Sequence, residues 1–135
     1  MRKIKLLTFA AGIITLMSCL PAMAQLKVEF TTSFGFYAGS AKLPAGTYTL
    51  RQQQNDPSAF EIQDASGKHS SIVQGRQSGK TTSGNPQLVF NRYGTTEYLE
   101  GVLTSTGNSV DLETGEPEKA AAKKGSPQPH TVPGK

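Results

Sequence analysis

The chain has 135 residues, with 14 Lys and Arg against 10 Asp and Glu, a formal net charge of +4, and one cysteine, Cys19. One cysteine excludes an intrachain disulfide, so a fold must be held by packing. The charge points to an anionic partner, but residues 25–113 carry seven basic and eight acidic side chains, which argues against nucleic-acid binding because phosphate neutralisation needs clustered cations.

Arg2, Lys3 and Lys5, the apolar run from Leu6 to Leu20 and the small-x-small Ala22-Met23-Ala24 read as a signal peptide over residues 1–24, cleaved before Gln25. Leu16-Met17-Ser18-Cys19 supplies an alternative, a lipobox that would make the chain a lipoprotein anchored through Cys19. The expected mature chain, Gln25 to Lys135, is secreted or periplasmic. No later segment approaches the roughly 20 apolar residues that cross a bilayer, so no transmembrane segment is expected in it.

From residue 26 onward apolar side chains recur at every second position, the period of half-buried strands. Leu26, Val28 and Phe30 alternate with Lys27, Glu29 and Thr31, and the pattern resumes at Phe34 and Phe36. Leu43-Pro44-Ala45-Gly46 forms a turn that launches a strand from Thr47 to Gln53, with Tyr48 and Leu50 on one face. Asn55-Asp56-Pro57-Ser58 breaks that run, Phe60 and Ile62 begin the next, and Ala65-Ser66-Gly67-Lys68 turns into His69 to Gln74. Gly75 to Pro86 reads as a long surface loop. Leu88 and Phe90 restart the alternation, Tyr93-Gly94 ends it, and Thr96 to Leu103 is the antiparallel partner, although the adjacent Tyr98 and Leu99 leave its inward face undecided. A last short strand follows at Val110 and Leu112.

Seven to eight short strands without intervening helices predict an all-β domain over residues 25–113, an antiparallel β-sandwich or a jelly-roll-like barrel. Val28, Phe30, Tyr48, Leu50, Phe60, Ile62, Leu88 and Phe90 form its expected inward line. Residues 114–135 differ: they hold four of the eight prolines, no aromatic residue and two net positive charges. Pro117 to Lys124 has the proline, acidic start, basic end and glycine exit of one short helix. From Gly125 to Lys135 disorder is expected.

Phe34 to Gly39, Leu43-Pro44-Ala45-Gly46-Thr47-Tyr48, Leu88 to Gly94 with its Arg92-Tyr93-Gly94, and Val110-Asp111-Leu112 leading to Glu118-Lys119-Ala120-Ala121 together resemble a family of small secreted β-proteins of Acidobacteria with an LPAGxY turn and an RYG hairpin. The likeness spans nearly the whole mature chain. It implies the fold and the export, and no activity. Transthyretin-like and other β-sandwich modules use a similar Leu-Pro-x-Gly-x-Tyr corner, and the chain departs from the family pattern at Tyr98 to Leu103, where a bulkier aromatic run is usual.

The candidate chemical sites each have a bland counterpart. Gly75-Arg76-Gln77-Ser78-Gly79-Lys80-Thr81 approaches a phosphate-binding loop but places three residues, not four, before its Gly-Lys pair, and no helix follows. His69 and His130 are the only histidines, and no metal-ligand spacing surrounds them. An ion pair from His69 to Asp64 across the turn is the simplest role for the first, and His130 falls in the tail. Ser70 and Ser71 adjoin His69, but on a strand they do not form a nucleophile and base with it. Glu61, Asp64, Glu97 and Glu100 could supply the two carboxyls of a glycosidase only if a cleft held them about 5 to 9.5 Å apart. Tyr37, Tyr48, Tyr93 and Tyr98 could stack on sugar rings, with a buried corner role more natural for Tyr48. No catalytic, cofactor or metal site is expected. The expected role is a non-enzymatic binding or scaffolding module of the envelope or extracellular space, with an envelope protein or polysaccharide as partner. Two alternatives stand beside it: a small hydrolase of envelope polysaccharide, and a structural subunit assembling by strand addition.

Overall fold

A computed structural model describes residues 25–135; the expected signal peptide and the Cys19 alternative lie outside them. The described chain is all-β with one short helix. Its elements are β1 (Lys27–Thr32), β2 (Phe36–Ala38), β3 (Ala41–Leu43), β4 (Gly46–Gln52), β5 (Ala59–Asp64), β6 (Ser70–Gln77), β7 (Gln87–Tyr93), β8 (Thr96–Leu103), β9 (Val110–Leu112), α1 (Glu116–Ala122) and β10 (Gln128–Pro133). Among the described residues no helix is long and apolar enough to cross a membrane.

All ten strands join one mixed sheet. Antiparallel pairs run β1–β4–β5–β6–β9–β8, and β8 carries β7, which carries β10. The opposite edge of β8 also takes β2 in parallel, at Phe36↔Glu97 and Tyr37↔Tyr98, and β3 folds back on β2. The all-β class is as expected, and the parallel contact and two further strands, β3 and β10, add to the seven to eight antiparallel strands read from the sequence. The sheet curls until its ends meet: Gly134 bridges Phe30, and Lys135 exchanges backbone hydrogen bonds with Glu29 at 2.8 and 3.2 Å.

Alternation dictates which side chains fill the curl. All eight residues of the expected inward line are buried, because period-two patterning leaves one face of each strand apolar. Pairing carries the core across the sheet through Phe30↔Tyr48, Leu50↔Ile62, Phe60↔Val73, Leu88↔Val102 and Phe90↔Leu99. At its centre the Phe36 ring meets Tyr48 at 5.2 Å and Phe90 at 5.4 Å, both edge-on, and Phe30 lies 5.8 Å from Tyr48. Tyr48 keeps its polar end satisfied by donating to the Pro44 carbonyl oxygen at 2.5 Å. The Leu-Pro-Ala-Gly-Thr-Tyr corner thus combines a core ring with a lock on its own turn.

Two local devices settle what alternation left open. Tyr93↔Thr96 closes the β7–β8 hairpin over Gly94 and Thr95, and Gly94 takes a φ of 65°, which L side chains rarely adopt. Further along, Phe90 pairs with Leu99 while Val89 pairs with Gly101, so Glu100 is the extra residue of a β-bulge. Leu99 therefore faces the core, and Tyr98 is buried on the outer face instead, between Tyr37 and Tyr93.

Two expectations are corrected. β6 runs to Gln77, so the loop begins at Ser78 rather than Gly75; a Cβ at Gly75 would press on Val110, Asp111 and Phe60 at 2.9 to 3.0 Å. The tail is not disordered after Gly125. Residues Gln128–Pro133 pair with β7 along their whole length, Val132 is buried opposite Leu88, and Gly134 packs so close to Val28 and Leu88 that a Cβ would meet them at 2.7 and 3.0 Å. A single valine and the backbone ladder order a segment whose prolines and polarity read as loop; strands at the end of a regular ladder tolerate proline.

Candidate functional site

α1 meets the outer face of β7 and β8 through Glu118, which reaches Asn91, Tyr93 and Glu100. Asn91 and Tyr93 project from β7 on the side opposite Phe90. Tyr98 comes from β8, its ring stacked on Tyr37 at 5.2 Å and 14° and edge-on to Tyr93 at 5.6 Å. The bulge aims Glu100 to the same side, beside Asp111 of β9. From above, Glu118 of α1 points inward and is 5% exposed. Asn91 Nδ2 donates to Glu118 Oε2 at 3.3 Å, and Tyr93 lies near enough to Glu118 for that carboxyl to raise its pKa.

Glu118 lies against Glu100, and two buried carboxylates side by side repel each other unless one of them holds a proton. Burial first, then the neighbouring Glu118, push the Glu100 carboxyl up to about 8; Asp111 adds to the rise and Asn91 opposes it. Tyr93 is raised by burial and by Glu118 and Glu100, and Tyr98 by burial, Tyr37 and Glu118. Next to the pair a groove of about 420 Å³ opens between Lys80, Asn91, Glu100 and Asp111 over an apolar floor of Val89 and Val110. A second, of about 450 Å³, runs from Asp111 past Arg76 and Glu113 to Lys119.

A separate ionic group closes one end of the core. Glu97, on the inward side of β8, is 2% exposed; its Oε1 forms an ion pair with Arg92 Nε at 3.0 Å and lies 3.0 Å from His130 Nδ1. His130 also packs on Phe34 with ring centroids 5.1 Å apart. Far from lying in a loose tail, His130 helps to fasten β10.

The sequence candidates are dispersed rather than brought together. Glu97 and Glu100 face opposite sides of β8, Glu61 meets Arg51 at 3.4 Å, and Asp64 is the last residue of β5. The Asp64–His69 ion pair is replaced by turn hydrogen bonds: Asp64 N–H donates to the His69 carbonyl at 2.9 Å, His69 N–H donates to Asp64 Oδ1 at 3.3 Å, and Ser66 Oγ reaches both Asp64 oxygens. Those bonds outweigh the effect of burial and hold Asp64 below the usual carboxylate range. Ser71 Oγ is committed to the Ala38 carbonyl at 2.9 Å. Gly75 to Thr81 splits between β6 and the loop after it, with no helix following. Among the described residues no group of three or more His, Cys, Asp or Glu could hold a metal ion.

Sequence reasoning missed Glu118, Asn91 and Asp111. The one available signal was Tyr98-Leu99-Glu100, two apolar neighbours and an acid breaking the alternation, which is how a bulge looks in a sequence. No protein-family model, curated protein or solved structure matches the chain.

Proposed function

We propose that the protein is a non-enzymatic binding module acting outside the cytoplasm, secreted or periplasmic, and that its ligand, a polysaccharide of the cell envelope, lies along the outer face of β7–β8–β9. The observation that carries this reading is the pair of open polar grooves meeting at Asp111, with Asn91, Glu100, Lys80 and Arg76 at their walls. Hydroxyl-rich ligands are recognised by such planar polar groups. The inward side offers no comparable room, because the aromatic cluster fills it. Affinity electrophoresis of the mature chain through gels holding envelope polysaccharide tests the reading. Retardation that Asn91→Ala and Asp111→Ala abolish is expected; wild-type mobility equal to that in a plain gel would refute it.

The Glu100–Glu118 pair favours hydrolysis as a second reading, since it couples a protonated carboxyl to a second one. Its geometry weighs against this. A glycosidase keeps its carboxyls about 5 Å or more apart across an open cleft to admit the glycosidic bond, whereas Glu118 is buried between α1 and the sheet. Release of reducing ends by the wild type and not by Glu100→Gln would establish the hydrolase. Assembly by strand addition has little support, because β3, with β2 as its one strand partner, is three residues long, and the outer edge of β1 is occupied by Gly134 and Lys135.

A further inference from the structure

α1 is fastened to the sheet by an acid rather than by an apolar stripe. Of its seven residues Glu118 is the buried one, while Glu116, Lys119, Ala120 and Ala122 face solvent. A helix of this length has no stability of its own in water, and Gly115 at its N-cap makes no side-chain hydrogen bond. What holds it is the contact of Glu118 with Asn91, Tyr93 and Glu100. Glu100 Oε1 is buried with no N–H, hydroxyl or amide donor among the described residues. Two ionised carboxylates in this position would repel each other with little water to screen them. A single proton between them removes the repulsion and gives the orphaned oxygen a short O–H···O bond.

We propose that α1 is a proton-operated cover: the singly protonated Glu100–Glu118 pair clasps the helix over Asn91, Tyr93 and Tyr98, and loss of that proton releases it. The surroundings set the direction of the response. Asn91 and Tyr93 of β7, Tyr98 of β8 and Asp111 of β9 face the pair, and none of them carries positive charge. The nearest cations, Lys80, Arg76 and Lys119, line the adjoining grooves and do not figure among the groups that shift Glu100. With Glu100 held at about 8 in the closed state against 4.5 for a free carboxyl, closure weakens between those limits by up to about tenfold per pH unit. The little solvent that reaches the partly buried Glu100 lowers that ceiling.

Hydrogen exchange on the mature chain tests the clasp. Protection factors, which divide out the chemical exchange rate, are measured for the α1 amides at pH 6 and pH 9, with those of β4 and β5 as internal reference. The α1 protection is expected to fall at least about tenfold while the strands hold. Glu100→Gln donates an amide N–H to Glu118 at any pH, so its helix stays protected at pH 9; Glu118→Gln does the same from the helix side. Carboxyl carbon NMR of Glu100 reads the proton directly and is expected to show a midpoint well above 4.5. A wild-type protection ratio that does not change, a Glu100 midpoint at the free-carboxyl value, or Gln variants that keep the wild-type pH response would each overturn the proposal. If Glu100→Gln does not fold, Glu118→Gln and the NMR midpoint decide it.

Discussion

Phe90→Ala removes the ring on which the rest of the core leans. Phe90 has no exposed surface, and its centroid lies 5.3 Å from Phe34, 5.4 Å from Phe36, 6.4 Å from His130 and 6.5 Å from Phe30. None of these rings is free to fill the space. Phe36 also packs on Tyr48, whose hydroxyl is tied to Pro44, and His130 is held at Glu97. A cavity that cannot collapse places the loss in the upper part of the range for such truncations, about 4 kcal/mol. With a urea slope of about 1.5 kcal/mol per molar for a chain of this size, the unfolding midpoint should fall by roughly 2.5 M. Phe34 meets Phe90 edge-on at 84°, so a double-mutant cycle of Phe34→Ala with Phe90→Ala should return a coupling of about 0.5 to 1.5 kcal/mol. A midpoint shift corresponding to less than about 1 kcal/mol, with no coupling, would refute the claim that the aromatic cluster is the centre of the fold.

Ending the chain after Pro127 removes β10 and exposes Leu88 and Val28; the loss should exceed about 2 kcal/mol in urea unfolding, since burying Val132 alone is worth about 1.5 kcal/mol or more, and an unchanged midpoint would mean that the strand is ornamental. His130→Ala leaves the buried Glu97 with Arg92 alone and should cost about 1 to 3 kcal/mol, while the exposed Thr131→Ala should stay within about 0.5 kcal/mol; equal effects at the two positions would dissolve the claimed fastening. Because the folded chain keeps a proton on Glu100 that the unfolded chain releases, the contribution of that group to stability is complete below about pH 4.5 and declines as pH rises towards about 8. Subtracting the Glu100→Gln curve from the wild-type curve in thermal melts from pH 4 to 9 isolates this effect, and a difference that grows in the opposite sense would contradict the shared proton.

The legible parts of this fold are those written in local pattern. Val28, Phe30, Tyr48, Leu50, Phe60, Ile62, Leu88 and Phe90 announce their inward face because they recur in pairs two positions apart along their strands, and the corner at Pro44 to Tyr48 carries its own turn chemistry. What stayed hidden depends on partners distant in sequence. β10 has one buried apolar residue, Val132, and becomes a strand only because β7 presents a free ladder edge and Leu88 a place to pack. The parallel contact of β2 with β8 has no signature in either segment. The candidate site was obscured for a related reason: Glu100 reaches the outer face through a bulge, and Glu118 looks like an ordinary acid in the first turn of a helix until the sheet beneath it is known.

The meeting of Gly134 and Lys135 with Phe30 and Glu29 has a kinetic side. Every other ladder joins segments that lie nearer to each other along the chain, so the seam is the most expensive loop to close in entropy and should be the last to form. Until that seam closes, β1 and β10 each keep an unpaired edge, the feature that invites association between partly folded chains. Joining the two ends by a short linker and opening the chain in the Ser78 to Pro86 loop would recast that closure as a neighbouring hairpin, leaving the same contacts with a shorter search.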